Sequence, residues 1–217
     1  MKNIIFTLVL TLGLVACNDN GNKATTSDSK VVETKKTDNT KTYSNVKGGS
    51  QVDWRASHLG GVQPRFGKIG LKSATISVND GKVSNAKAVL DMTSFTVENF
   101  DDAESKGKLT GHLQSPDFFN VSAHPTSTFE LTGTGNGSGS YNSTITGNLT
   151  IMGKTKSISF LGNVKVSNTE VSIKSEDFSV DRRDWGLTYN VEGSEGVPAD
   201  YLIANDIGFS IDIIVAN

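Results

Sequence analysis

One cysteine in 217 residues excludes any disulfide within the chain, so the fold must be held by an ordinary core. Aromatics are scarce too, with two tryptophans and four tyrosines, which leaves little from which to build the interfacial girdles of a membrane-spanning barrel. Neither charge dominates: 21 basic residues against 23 acidic ones give a formal net charge of -2. That balance lacks the concentrated positive face that nucleic-acid binding requires. The three histidines, His58, His112 and His124, lack the close spacing of metal motifs, and zinc chemistry would need all three to converge in space. No G-x-S-x-G elbow, phosphate-cradling glycine loop or H-E-x-x-H occurs, and Asp101, Asp102 and Glu104 read as helix-start acids rather than an acid/base pair. Neither an enzyme nor a resident metal or cofactor is expected.

What is present begins with an address. Lys2 precedes the apolar run of residues 4–15, IIFTLVLTLGLV, which is too short for a spanning helix and has the layout of an export signal. It ends in Leu14-Val15-Ala16-Cys17, which resembles a bacterial lipobox. Residues 1–16 are therefore expected to be cleaved and Cys17 to carry a lipid that anchors the protein to a membrane. Residues 17–44 hold that cysteine and a stretch rich in Asn, Thr, Ser, Asp and Lys, expected to be a disordered tether because it has almost nothing apolar to bury. These features place the protein at the cell envelope. Asn18, where an aspartate would signal inner-membrane retention in some bacteria, favours the outer membrane, on its periplasmic or surface face.

Residues 45–217 form the expected domain, and roughly 170 residues are enough to bury a core. The dominant pattern is period two, as in Ile145, Gly147, Leu149 and Ile151, and in Phe209, Ile211, Ile213 and Val215. Shorter strand candidates lie at residues 52–54, 68–71, 75–78, 128–131, 171–173 and 178–180. Asn79-Asp80-Gly81 marks a hairpin, and residues 133–139 read as a loose glycine-rich loop. Eight or more antiparallel strands suggest closure as a barrel or sandwich. Residues 102–120 break the alternation. Leu109, His112 and Leu113 at helical spacing suggest a short helix, and Ser115-Pro116-Asp117 a capped turn that aims Phe118 and Phe119 at the domain.

These residues carry a resemblance to the YceI-like domains, in a lipidated version. Gly111-His112-Leu113-Gln114-Ser115-Pro116-Asp117-Phe118-Phe119-Asn120-Val121 is similar to the family's most distinctive stretch. Pro125-Thr126-Ser127-Thr128-Phe129, then Gly147-Asn148-Leu149-Thr150-Ile151-Met152-Gly153, then Asp181-Arg182-Arg183-Asp184-Trp185-Gly186 and a closing alternating strand follow in the family's order. The resemblance implies an all-β fold, an eight-stranded antiparallel extended lipocalin-like barrel with a cavity. It also implies binding of a long-chain amphiphile, polyisoprenoid or quinone-like, for storage, shielding or transfer. The segment from His58 to Gly67 departs from the usual spacing near the mouth of the cavity.

Candidate ligand contacts follow. Phe66, Phe95, Leu109, Leu113, Phe118, Phe119, Phe129 and Trp185 are wall candidates, each equally readable as plain core. His58 resembles the histidine after the family's opening strand. The alternation that turns Phe178 and Val180 inward turns Arg182 inward too, where a guanidinium needs an acid or a ligand oxygen, with Asp181 and Asp184 as local partners. The competing reading is a structural or protein-interaction domain of the envelope whose core is filled. An exposed edge near the termini would permit a homodimer.

Overall fold

A computed structural model describes residues 21–33 and 39–217; the export signal and Cys17 lie outside them. The strands are β1 (Asn22–Lys23), β2 (Thr25–Asp28), β3 (Lys41–Tyr43), β4 (Asn45–Val46), β5 (Gln51–Ala56), β6 (Arg65–Asn79), β7 (Lys82–Asp91), β8 (Thr126–Asn136), β9 (Ser143–Ile151), β10 (Lys154–Val166), β11 (Glu170–Ser175), β12 (Phe178–Asp181) and β13 (Asp206–Ala216). Among the described residues one α-helix, α1 (Ala103–Gln114), lies between β7 and β8. Antiparallel pairing runs β5-β6-β7-β8-β9-β10-β11-β13 and returns from β13 to β5, closing an eight-stranded barrel. Closure removes the bare edges that an open sheet would present.

The alternation of the sequence maps onto this ring, with two phase shifts that hid the true strand lengths. The expected strands at 68–71 and 75–78 are one strand, β6, whose register slips between Leu71 and Ser73. Buried positions change from Gly67 and Ile69 to Ala74, Ile76 and Val78 across that slip, as an extra residue requires. A second slip between Leu131 and Gly133 lets β8 run on through Gly133 and Gly135, which pair with Thr146 and Thr144. The expected glycine loop therefore starts later, at Gly137. The β6–β7 hairpin does turn at Asp80 and Gly81, both at positive φ (49° and 76°), as its Asn-Asp-Gly signal implied.

The largest correction concerns the expected tether. Its described residues 22–28 are built into the barrel wall. At Glu176 the chain of β11 leaves β10 and continues as β12, paired with β13. The wedge this opens is occupied by β1, parallel to β12, and β2, antiparallel to β10. Over this half of the barrel the wall has a ninth strand. Glu176 sits buried at the branch, accepting from the Leu161 N–H (2.7 Å) and from Asn22 Nδ2 (2.9 Å). Lys23 pairs with Asp206 (2.7 Å), Ala24 is buried in the core, and Asn148 holds Lys30 through two backbone hydrogen bonds. Further on, Tyr43 of β3 is buried and donates to the Ser167 carbonyl (2.7 Å). Low apolarity did not leave this stretch free, because the unpaired edges of β10 and β12 offer it backbone hydrogen bonds that no composition count registers.

Gly21 admits the inserted strand: it has φ +89°, and a Cβ there would lie 2.4 Å from the Asp177 carbonyl group. Gly21→Val should cost about 1–3 kcal/mol. Amide exchange of residues 22–28 should accelerate while β7, β8 and β9 stay protected; unchanged exchange at 22–28 would show that the insertion does not depend on this glycine.

Candidate functional site

The end of the barrel that receives the inserted strand also carries α1. Asp102 caps the helix, its carboxylate accepting from the Ser105 N–H at 2.7 Å. Ser115 then accepts from the Asp117 N–H, turning the chain so that Phe118 and Phe119 point into the bore. Among the described residues, the hydrogen bonds of residues 101–124 all stay within that segment. Among the described residues, side-chain packing, chiefly of Leu113, Phe118, Phe119 and Val121, with Leu109 and the His112–Tyr189 ring contact beside them, holds this lid to the barrel.

Beneath the lid lies a chamber of about 100 Å³, lined by apolar side chains from the lid and from all around the wall. Trp54, Phe95 and Phe119 form an aromatic chain at its top, with centroids 4.7 and 5.6 Å apart, and the Trp54 Nε1–H donates to the Thr96 carbonyl. Deeper, Phe160 and Phe178 stack at 4.4 Å and 5° beside the inserted strand. Leu149, Phe129, Phe209 and Ile211 line this chamber yet remain only half-buried, as side chains facing an interior space do. Above it an open groove of about 480 Å³ separates the lid from the loops around His58 and Tyr201. Trp54, Ala56, Leu113, Phe118 and Ile203 line both spaces, so one layer of side chains separates the groove from the chamber.

The groove is polar where the chamber is not. His58 Nδ1 lies 2.7 Å from the Asp200 carbonyl oxygen; His112 Nε2 lies 3.1 Å from Asp117 Oδ2, with its ring edge-on to Phe118 and Tyr189. Arg65 stacks over Phe100 at 4.9 Å, and Lys108 pairs with Glu104 on α1. His58 and His112 both line the groove, whereas His124 packs against the hairpin glycine Gly153. No cluster of three metal-ligating side chains occurs among the described residues.

Arg182 does turn inward and is almost wholly buried, but its partner is neither an acid nor a free position. Its guanidinium donates to four backbone carbonyls: Nε to Ala204 (3.0 Å), Nη1 to Leu187 (2.8 Å) and Tyr189 (3.0 Å), and Nη2 to Ile203 (3.1 Å). Burial lowers its pKa to about 10, still charged at neutral pH. Arg182 thus ties the two loops that frame the groove to the end of β12. Asp181 binds Arg183 instead, through Nε (2.9 Å) and Nη2 (2.6 Å), and accepts from the Arg183 N–H. Those contacts, the Arg183 side-chain hydrogen bond foremost, hold the Asp181 carboxyl below its ordinary range.

The expected contacts therefore divide. Phe95, Leu113, Phe118, Phe119, Phe129 and Arg182 line the chamber, while His58 and Leu109 belong to the groove. Two do not reach either space. Phe66 is exposed on the outer wall, since Gly67 takes the inward position beside Trp54. Trp185 is fully buried core, its Nε1–H donating to the Leu149 carbonyl. Trp54, Phe160, Phe178 and Phe209 went unnamed as candidates, although inward alternation marks Phe160, Phe178 and Phe209 as aromatics facing the bore.

Arg182→Met should destabilise the protein by on the order of 3 kcal/mol or more in chemical denaturation, by orphaning several buried carbonyls. Arg182→Lys should rescue little of it, since one ammonium cannot span four divergent acceptors. Asp181→Asn should cost about 1 kcal/mol at neutral pH. Because the folded-state pKa of Asp181 is depressed, its stabilisation is full above the ordinary carboxylate value near 3.8 and is lost as pH falls through the folded value. The two proteins should converge in stability in strong acid; a constant gap would remove the ionised carboxylate as the cause.

The sequence pattern of the YceI-like domain family matches residues 43–215. A UPF0312 protein of Azotobacter vinelandii is 32% identical over 107 residues, which are 49% of this chain and 52% of that protein. The match thus spans about half the length of this curated relative. Among solved structures, BcnA of Burkholderia cenocepacia superposes with a TM-score of 0.58 at 16% identity, over 78% of this chain and 99% of that one. A polyisoprenoid binding domain from Saccharophagus degradans, implicated in plant cell wall breakdown, gives 0.56 at 14% identity, over 81% and 99%. At these identities the two structures establish the shared barrel fold.

Proposed function

Because the chain belongs to the YceI-like domain family, we propose that its barrel binds a long-chain amphiphile, polyisoprenoid or quinone-like, for storage, shielding or transfer at the cell envelope. The observation that carries this reading is an apolar chamber that shares lining side chains with a more polar groove, beneath a lid that, among the described residues, has no backbone hydrogen bond to the wall. A tail gains roughly 0.8 kcal/mol per methylene on leaving water for such a chamber. The head group stays in the groove, among His58, Arg65, His112 and Tyr189. The chamber is smaller than the several hundred Å³ usual for lipid-sized ligands. Uptake of a long tail therefore requires Leu113, Phe118 and Phe119 to withdraw, a movement that breaks no strand pairing. A filled-core domain would have no chamber of this kind. The polyisoprenoid-binding description of the Saccharophagus degradans domain supports the class of tail.

The lipobox adds the setting. With Cys17 lipidated, residues 18–20 alone separate the anchor from Gly21, so the anchor sits within about 14 Å of the wall. The domain is held close to its membrane rather than on a long leash, at the outer membrane on the Asn18 argument.

Phe119→Asp should reduce co-purifying lipid by about tenfold or more, whereas Phe66→Asp on the outer wall should leave it unchanged. Mass spectrometry of organic extracts measures both, using mature chains from Asn18 onward that are exported and purified without detergent. Thermal melting in parallel separates lost binding from lost folding. Equal lipid content in folded Phe119→Asp and the parent would take Phe119 out of the site.

A further inference from the structure

The bore continues below the chamber. A second apolar space of about 50 Å³ lies deeper, and Phe129, Phe160 and Ile211 line both, so these three side chains form a partition across the barrel. Below the second space a separate core cluster that includes Tyr43, Ile76 and Val215 closes the barrel. A tail entering from the groove therefore meets the partition before it meets the floor.

The partition side chains are not equally fixed. Phe160 is almost fully buried and stacks flat on Phe178. Phe129 touches Phe160 only obliquely, at 5.9 Å and 55°, and remains half-buried. Its ring rests in the space left by Gly147, where a Cβ would come within 2.3 Å of Phe129 Cζ. Gly147 faces the bore in the alternation of β9, so the missing side chain is what seats the ring across it.

Resting on the binding reading above, we propose that Phe129 sets the length of tail the barrel accepts. A tail ends against its ring, and the lower space is used only when that ring is absent or displaced. The walls beyond it, among them Ile76, Ala86, Ile145 and Ile213, are as apolar as those above, so nothing but the partition stops a longer tail from continuing.

The test compares geraniol, farnesol and geranylgeraniol, which lengthen by one isoprene unit each, as competitors for a fluorescent fatty-acid probe on the mature chain. The parent should show an affinity that stops rising with length. In Phe129→Ala that limit should move up by one unit, with the longer alcohol bound about tenfold tighter than by the parent. Phe129→Leu should shift the limit in the same direction by less, and it guards against an alanine variant that fails to fold. A folded Phe129→Leu or Phe129→Ala with the parent's length profile overturns the proposal and leaves amphiphile binding standing. A parent that takes up none of the three overturns the binding reading and the length limit with it.

Discussion

An eight-stranded barrel encloses a bore that side chains can nearly fill, and the diameter grows with each added strand. In this protein the wall does not have the same strand count throughout. In the half remote from the lid the ring has eight strands, and there Tyr43, Ala74, Ile76, Val78, Val171 and Val215 fill the interior. In the other half β12 parts from β10 and the inserted strand widens the ring, and the larger chamber lies there. Ring circumference thus decides where the core is solid and where it is hollow. The inserted strand contributes only Ala24 to the core, so it enlarges the perimeter without refilling the space it creates.

Hollowing one end raises a second physical demand, because loops folded over it bring carbonyl groups away from water. Arg182 meets that demand by gathering four of them from two loops onto one buried guanidinium. A charge so placed is tolerable only with its donors largely occupied, and here backbone carbonyls take four of its five N–H groups. Arg182 is thereby committed chiefly to backbone, and it shapes the loops that frame the groove. The half-exposed polar groups of the groove, His58 and His112 among them, lie above it. Among the described residues, the lid over the same space is fastened by side-chain packing and by no backbone hydrogen bond to the wall.

Several things were legible in the sequence. Period-two alternation identified an antiparallel β domain, Asn79-Asp80-Gly81 located a hairpin, and the break at residues 102–120 located the helix and the phenylalanine pair that face the chamber. These features are local: strand periodicity, turn chemistry and helix capping each depend on residues a few positions apart. The family resemblance reached further, since motifs in a fixed order carry topology that no local pattern states.

Tertiary structure decided the rest, for reasons of distance. Whether residues 22–28 are tether or wall depends on an edge that exists only after β11 turns aside at Glu176, 154 residues beyond Asn22. Whether Phe66 faces the bore depends on Gly67 lying beside Trp54, and Trp185 counts as core because the Leu149 carbonyl is within its reach. The bulges in β6 and β8 reversed the alternation that would otherwise have assigned faces along the full strands. By itself the sequence determined that the segments from residue 45 onward alternate as strands, and which chemistry they carry; only the closed barrel decided which segments pair and which side chains border a cavity, because a cavity is made by residues that are neighbours in space and strangers along the chain.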